Sequence, residues 1–96
     1  MSITMDFSDA LRLLKAGGRL RREAWGTDQW LAVSCPAARR VPAEGFWSEH
    51  NRAYAERCGG TAVVLPSLTA KMPDGGVQMG WAPTQADLFA QDWVAV

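Results

Sequence analysis

The sequence predicts an α+β fold, a mostly antiparallel sheet with an N-terminal helix and short additional helices, on three observations. Behind Asp6, the apolar residues Phe7, Leu11 and Leu14 recur at helical spacing. Residues 68–72 and 77–81 alternate with period two on either side of Pro73-Asp74-Gly75-Gly76, the composition of a hairpin whose loop exceeds two residues. After Pro83, Thr84 and Asp87 carry the spacing of a capping box, and a β-rich end follows from Trp93. Helical and strand periods that are interspersed rather than strictly alternating give an α+β class.

Each element has its own signals. Asp6 is placed to cap a first helix over residues 7–16, Asp9 stands at its N3 position, and Gly17-Gly18 stop it. Its buried face is read as Phe7, Leu11 and Leu14, widened by Ala10 and Leu13, with Arg12 and Lys15 in water. A strand near residues 19–22 turns Leu20 inward and Arg19 and Arg21 outward, and residues 30–35 form a clearer strand after the connection Gly26-Thr27-Asp28. Two prolines and a glycine make residues 36–46 read as irregular, with Phe46-Trp47 as an exposed aromatic pair. Ser48 caps a short helix over residues 49–58 ended by Gly59-Gly60, on which Ala53, Tyr54 and Cys58 share a face. Residues 61–65 are a strand closed by Pro66. In the hairpin, Leu68, Ala70 and Met72 share one face of the first strand, and Val77, Met79 and Trp81 one face of the second.

A chain of 96 residues suffices for one domain and is too short for two ordinary ones, so residues 1–96 are read as a single domain. At this size only roughly 60% of the unfolded surface is buried, which favours help from a partner chain. Ten basic residues balance ten acidic ones, so no overall field draws the chain to a DNA or RNA polymer or to anionic lipid. No apolar run approaches the roughly 20 residues that span a bilayer, and Asp6 and Asp9 stand where an export signal would be basic and then apolar. The expected location is the cytoplasm, without membrane contact. Cys35, Cys58 and His50 do not make a metal-ligand spacing, so no metal is expected.

Catalytic signatures are missing from the sequence: there is no phosphate loop with its Lys-Ser/Thr, no HExxH and no nucleophile paired with His50. Glu23, Asp87 and Asp92 are candidate acids without an evident partner, so neither catalytic residues nor a cofactor are expected. Five tryptophans are more than a core of this size needs, and tryptophan is enriched where a surface meets a partner or a ligand ring. The remaining chemistry is that of binding. Trp25 and Trp81 offer planes for a flat heterocycle, Arg22 or Lys71 a phosphate contact, and Thr84, Gln85 and Asp87 groups for hydroxyls or base amines. Gly80 removes a side chain beside Trp81. Each of these residues also has an ordinary structural role: solvated strand edge for the arginine, core edge for the tryptophans, helix cap for Asp87.

The segments FSDALRLLKAGGRLRREAW (residues 7–25), AYAERCGG (53–60) and MPDGGVQMGWAPTQADLFAQDWVAV (72–96) together resemble the Thoeris anti-defense 2 family of small phage and prophage domains. The most specific piece is G-W-x-P-[ST]-Q-x-D-x-x-A-x-D-W, carried from Gly80 to Trp93, whereas the segment with Phe46 and Trp47 departs from the family pattern. The resemblance implies a non-catalytic homotetramer that sequesters a cyclic nucleotide immune signal. That ligand is a cyclic ADP-ribose isomer made by bacterial TIR-domain enzymes, and some members also take cyclic dinucleotides. On it, Arg22, Trp25, Trp81, Thr84, Gln85 and Asp87 match family positions. The competing expectation is an oligomeric structural or protein-interaction module without a nucleotide ligand.

Overall fold

In the computed structural model, which describes residues 3–96, the first helix begins at its expected cap. Asp6 has extended backbone and its Oδ1 accepts the Asp9 N–H at 2.9 Å, opening α1 (Phe7–Lys15). The described residues form an α+β fold with three α-helices and seven strands. After α1 come β1 (Leu20–Arg22), β2 (Trp30–Cys35), β3 (Arg39–Pro42), α2 (Glu49–Arg57), β4 (Thr61–Val64), β5 (Ser67–Lys71), β6 (Val77–Met79), α3 (Gln85–Phe89) and β7 (Trp93–Ala95). Single 3₁₀ turns occupy Glu23–Trp25 and Ala43–Gly45. The chain divides into two compact units: the described residues up to Pro36 with Ser67–Val96, and Ala37–Pro66. No helix among the described residues is long and apolar enough to cross a membrane.

The first unit is a five-stranded sheet in the order β6-β5-β2-β1-β7, every neighbouring pair antiparallel. Register places Leu20 opposite Leu31 and Leu31 opposite Ala70, so one face carries an apolar row across three strands. Ala10 and Leu14, one helical turn apart on α1, complete the core with that row and Trp93. Leu13, expected on the same face, is 40% exposed. The i, i+4 pair Ala10 and Leu14 already fills the contact with the sheet, and position 13 is rotated off it.

The β5–β6 hairpin has the longer loop that its sequence predicts. Met72 N–H donates to the Gly76 carbonyl at 2.7 Å, and the Gly76 N–H donates to Asp74 Oδ1 at 2.8 Å. Beyond β6 the strand does not continue in phase. The N–H groups of Gly80 and Trp81 both donate to the Leu68 carbonyl, at 2.9 and 3.1 Å, with Gly80 at φ +78°. Two residues opposing one is a bulge. It separates Trp81, which packs on the core, from Val77 and Met79, which stay exposed, so the expected common face for the three is not formed.

The second unit corrects the expectation of irregular chain over residues 36–46. Arg39–Pro42 is a strand, paired antiparallel with β4 from Arg39 opposite Val64 to Pro42 opposite Thr61. A two-stranded ribbon consists of edges only, so a proline at the strand's end does not break an inner ladder. Ser48 Oγ accepts the Asn51 N–H at the start of α2, as predicted. The helix buries Ala55, while Tyr54 and Cys58, expected on its inner face with Ala53, are exposed. The residues that this helix hides are small, so its nonpolar pattern is too weak to orient it from sequence.

A Cβ at position 80 would meet nothing within 4 Å, so the glycine answers to backbone conformation rather than to space. Gly80→Ala is expected to cost about 1–2 kcal/mol in urea denaturation through left-handed backbone strain alone. An unchanged midpoint would show that the bulge does not need glycine.

Candidate functional site

Antiparallel pairing sets Arg22, the last residue of β1, directly opposite Trp93, the first of β7. Trp93 is fully buried, and its Nε1–H donates to the Asp87 carbonyl of α3 at 3.0 Å, which ties the helix to the sheet. The Arg22 guanidinium is clasped from two sides. Its Nε donates to Asp92 Oδ1 at 2.9 Å and its Nη1 to Asp87 Oδ1 at 3.1 Å. The other Asp87 oxygen accepts the Thr84 N–H at 2.9 Å, and Thr84 Oγ1 accepts the Asp87 N–H at 3.2 Å, a complete capping box. The other Asp92 oxygen accepts the Ala24 N–H at 3.1 Å in the turn that carries Trp25.

Against this network stands a row of rings. Trp25 meets Trp93 edge-on at 5.2 Å between centroids and Trp81 at 6.0 Å, with interplanar angles of 81° and 75°. Phe7 of α1 packs on Trp93 at 5.3 Å. Such edge-to-face pairs favour fixed ring planes. Trp93 is closed to solvent, whereas Trp25 and Trp81 are half-buried and keep part of their rings outside.

Burial pushes the Asp87 carboxyl up, but hydrogen bonds from Thr84 and Arg22, and the Arg22 charge, outweigh it and hold its pKa below the ordinary value. Burial likewise raises Asp92, and Arg22 and the Ala24 N–H bring it below normal. The Arg22 pKa is raised, first by its bond to Asp92. Both carboxylates therefore stay ionised and paired at neutral pH, a poor state for a general acid.

Of the residues that the sequence marks for a ligand, five converge: Arg22, Trp25, Trp81, Thr84 and Asp87. Gln85 is exposed in the first turn of α3, next to Thr84. Lys71 is engaged elsewhere, its Nζ donating to the Asp28 carbonyl at 2.8 Å, and lies on the strand face opposite to Ala70 of the core. Sequence reasoning did not assign Asp92 and Trp93 to this constellation. Their signal was the D-W pair at the end of the Gly80-to-Trp93 pattern. A groove of about 270 Å³ lies within the second unit, lined by Phe46, Asn51, Tyr54, Ala62, Val63 and Val64, and contains none of the predicted residues.

The model of the Thoeris anti-defense 2-like domain matches residues 5–96, a span that includes every residue of this site. The chain belongs to the Thoeris anti-defense 2-like domain family. Among curated proteins none matches it. In this Thoeris anti-defense 2-like domain, Gly80 to Trp93 thus supplies the bulge, one half-buried ring, the capping box and both carboxylates in one continuous stretch.

Asp87→Asn keeps only one carboxamide oxygen for two donors, Arg22 and the Thr84 N–H. The expected loss is about 2 kcal/mol in chemical denaturation; a change below about 0.5 kcal/mol would mean that the clasp contributes little. The same network sets an acid dependence. A depressed folded-state pKa gives stability that is present above the unfolded carboxylate value, about 4, and is lost as pH falls through the folded values. Denaturation midpoints are expected to hold from pH 7 to 5 and to drop below pH 4, with a shallower drop in Asp87→Asn than in the parent.

Proposed function

We propose that this domain blocks a bacterial defence by sequestering a cyclic nucleotide signal, a cyclic ADP-ribose isomer, without cleaving it. The observation that carries this reading is the convergence of two half-buried tryptophans on the Arg22 clasp within the family's matched region. Trp25 and Trp81 are assigned to the base, and each stacked ring contributes about 1–3 kcal/mol. Thr84 and Gln85 are assigned to ribose or base edges. Arg22 is assigned to a phosphate through Nη2 and the second N–H of Nη1, which its two carboxylate bonds leave over, while Asp87 fixes the guanidinium and Lys71 offers a second positive charge. With Asp87 and Asp92 held ionised by Arg22, the site lacks a ready proton donor, which supports binding without turnover. The domain is proposed to act as a homotetramer in the host cytoplasm, one functional domain over residues 1–96. Cyclic dinucleotides are secondary candidates in the same class.

Calorimetric titration against cyclic ADP-ribose isomers and cyclic dinucleotides, followed by denaturation and chromatography of the ligand, tests the reading. Intact ligand is expected, with affinity reduced roughly tenfold or more in Trp25→Ala and in Trp81→Ala. A converted ligand would make the protein an enzyme. Light scattering at micromolar concentration is expected to give four chains. Trp47, 88% exposed, favours the second reading, an interaction module that grips another protein. Failure to bind across the nucleotide panel would select it.

A further inference from the structure

The turn that carries Trp25 cannot hold itself. Glu23–Trp25 is a single 3₁₀ turn of three residues, and Arg22, at its N-cap position, provides no side-chain cap. A turn this short makes only one internal backbone bond here, from the Gly26 N–H to the Glu23 carbonyl at 3.1 Å. Its leading N–H groups need acceptors from outside. Both come from Asp92, far along the chain: the Glu23 N–H donates to the Asp92 carbonyl at 2.9 Å and the Ala24 N–H to Asp92 Oδ2 at 3.1 Å. The remaining Asp92 oxygen holds Arg22 Nε, so one residue contacts three successive positions, 22, 23 and 24. The residue that follows position 24 in the turn is Trp25 and the one that follows Asp92 is Trp93, the first of β7, and those two rings meet edge-on at 5.2 Å.

We infer that Asp92 is a positioning residue of the binding site: it caps the turn across the fold and thereby sets the plane of Trp25 for a ligand. This rests on the nucleotide reading for the ligand's identity, but not for the geometry. Asp92 touches no ligand. Its carboxylate is committed to Arg22 and Ala24, and its effect on binding passes through the orientation of Trp25 and the remaining donor edge of Arg22. Loss of the carboxylate leaves the Glu23 bond to the Asp92 carbonyl intact, so the turn loosens rather than vanishes. An amide can satisfy either Arg22 or the Ala24 N–H but carries no charge with which to hold both.

Near-UV circular dichroism of the whole protein isolates the geometry. The Trp25→Phe difference spectrum is recorded in the parent, Asp92→Asn and Asp92→Ala backgrounds, with cyclic ADP-ribose titrated into the single variants at position 92. At least half of the Trp25 contribution is expected to be lost in Asp92→Ala, with a smaller loss in Asp92→Asn. Cyclic ADP-ribose affinity is expected to fall at least fivefold in Asp92→Ala and to recover partly in Asp92→Asn. Ser48→Ala, which removes the cap of α2 in the second unit, supplies a control that is destabilised without a change in the Trp25 signature. A Trp25 contribution preserved in both backgrounds overturns the inference, as does a changed spectrum with unchanged affinity. Should Asp92→Ala fail to fold, Asp92→Asn alone decides on the same two readouts. Should the parent bind no cyclic ADP-ribose isomer, the nucleotide reading fails, and the spectra still decide whether Asp92 sets the ring.

Discussion

One guanidinium ties together three elements of the first unit. Arg22 ends β1, Asp87 lies in α3, and Asp92 sits just before β7, so the two ion pairs lock a strand end, a helix start and a strand start into one arrangement. With its side chain only 19% exposed, Arg22 would be an expensive charge to leave unpaired. Pairing with two carboxylates compensates for that burial and also dictates direction. A lysine would supply charge without a planar fork, and could not hold Nε toward one carboxylate and Nη1 toward the other. The main product of such a network is conformational specificity, since a paired buried ion contributes less to net stability than its Coulomb energy suggests.

Trp93 provides the complementary constraint. Its burial contributes about 4–6 kcal/mol on area alone, and the ring simultaneously contacts Phe7 and Trp25 while its Nε1–H holds α3. The apolar and polar halves of this region therefore share one residue pair, Asp92 and Trp93: the carboxylate fixes the turn before Trp25, and the indole fixes the ring after it. α3 has only five residues and would be marginal alone; its capping box and its bond from Trp93 make it a fixed wall.

What was legible in the sequence follows from the range of the forces involved. Local signals read well: the Asp6, Ser48 and Thr84 caps each accept the N–H three residues on, and the strand over residues 30–35 lies where alternation put it. Those features depend on neighbours within a few positions. The strand Arg39–Pro42 escaped because its identity comes from a partner about twenty residues away, against local proline and glycine chemistry. Trp81 was assigned to the face of Val77 and Met79 because alternation presumes a regular strand, and the bulge at Gly80 is a contact with Leu68 that periodicity does not carry. The two carboxylates illustrate the same limit. Asp87 was readable as a cap at a separation of three, but its pairing with Arg22 spans 65 residues and that of Asp92 spans 70. Two half-buried aromatics of the site, Trp25 and Trp81, were singled out by composition and by family pattern; that they meet at 6.0 Å is a property of the sheet order.

The saturation of this network limits how a ligand can be held. Among the described residues, no buried side-chain nitrogen or oxygen lacks a hydrogen-bond partner. Both oxygens of Asp87 and of Asp92 already receive protein donors, so a ligand N–H or O–H donating to either would share its acceptor with a protein donor. A pocket built around unsatisfied buried charge would lose stability until its ligand arrived; one built on saturated charge and partly exposed rings does not. On the proposed reading, affinity comes from ring faces and from polar groups at the rim, such as Gln85 and the remaining Arg22 N–H groups. On the same reading, edge-to-face packing and the Asp92 cap hold Trp25 before a ligand arrives, so little side-chain entropy would be lost on stacking and more of the stacking energy would appear as affinity. For a protein proposed to work by holding a signal rather than changing it, that is the useful place to invest rigidity: the Arg22 ion pairs brace the elements that carry Trp25 and Trp81, and both rings keep part of their surface open.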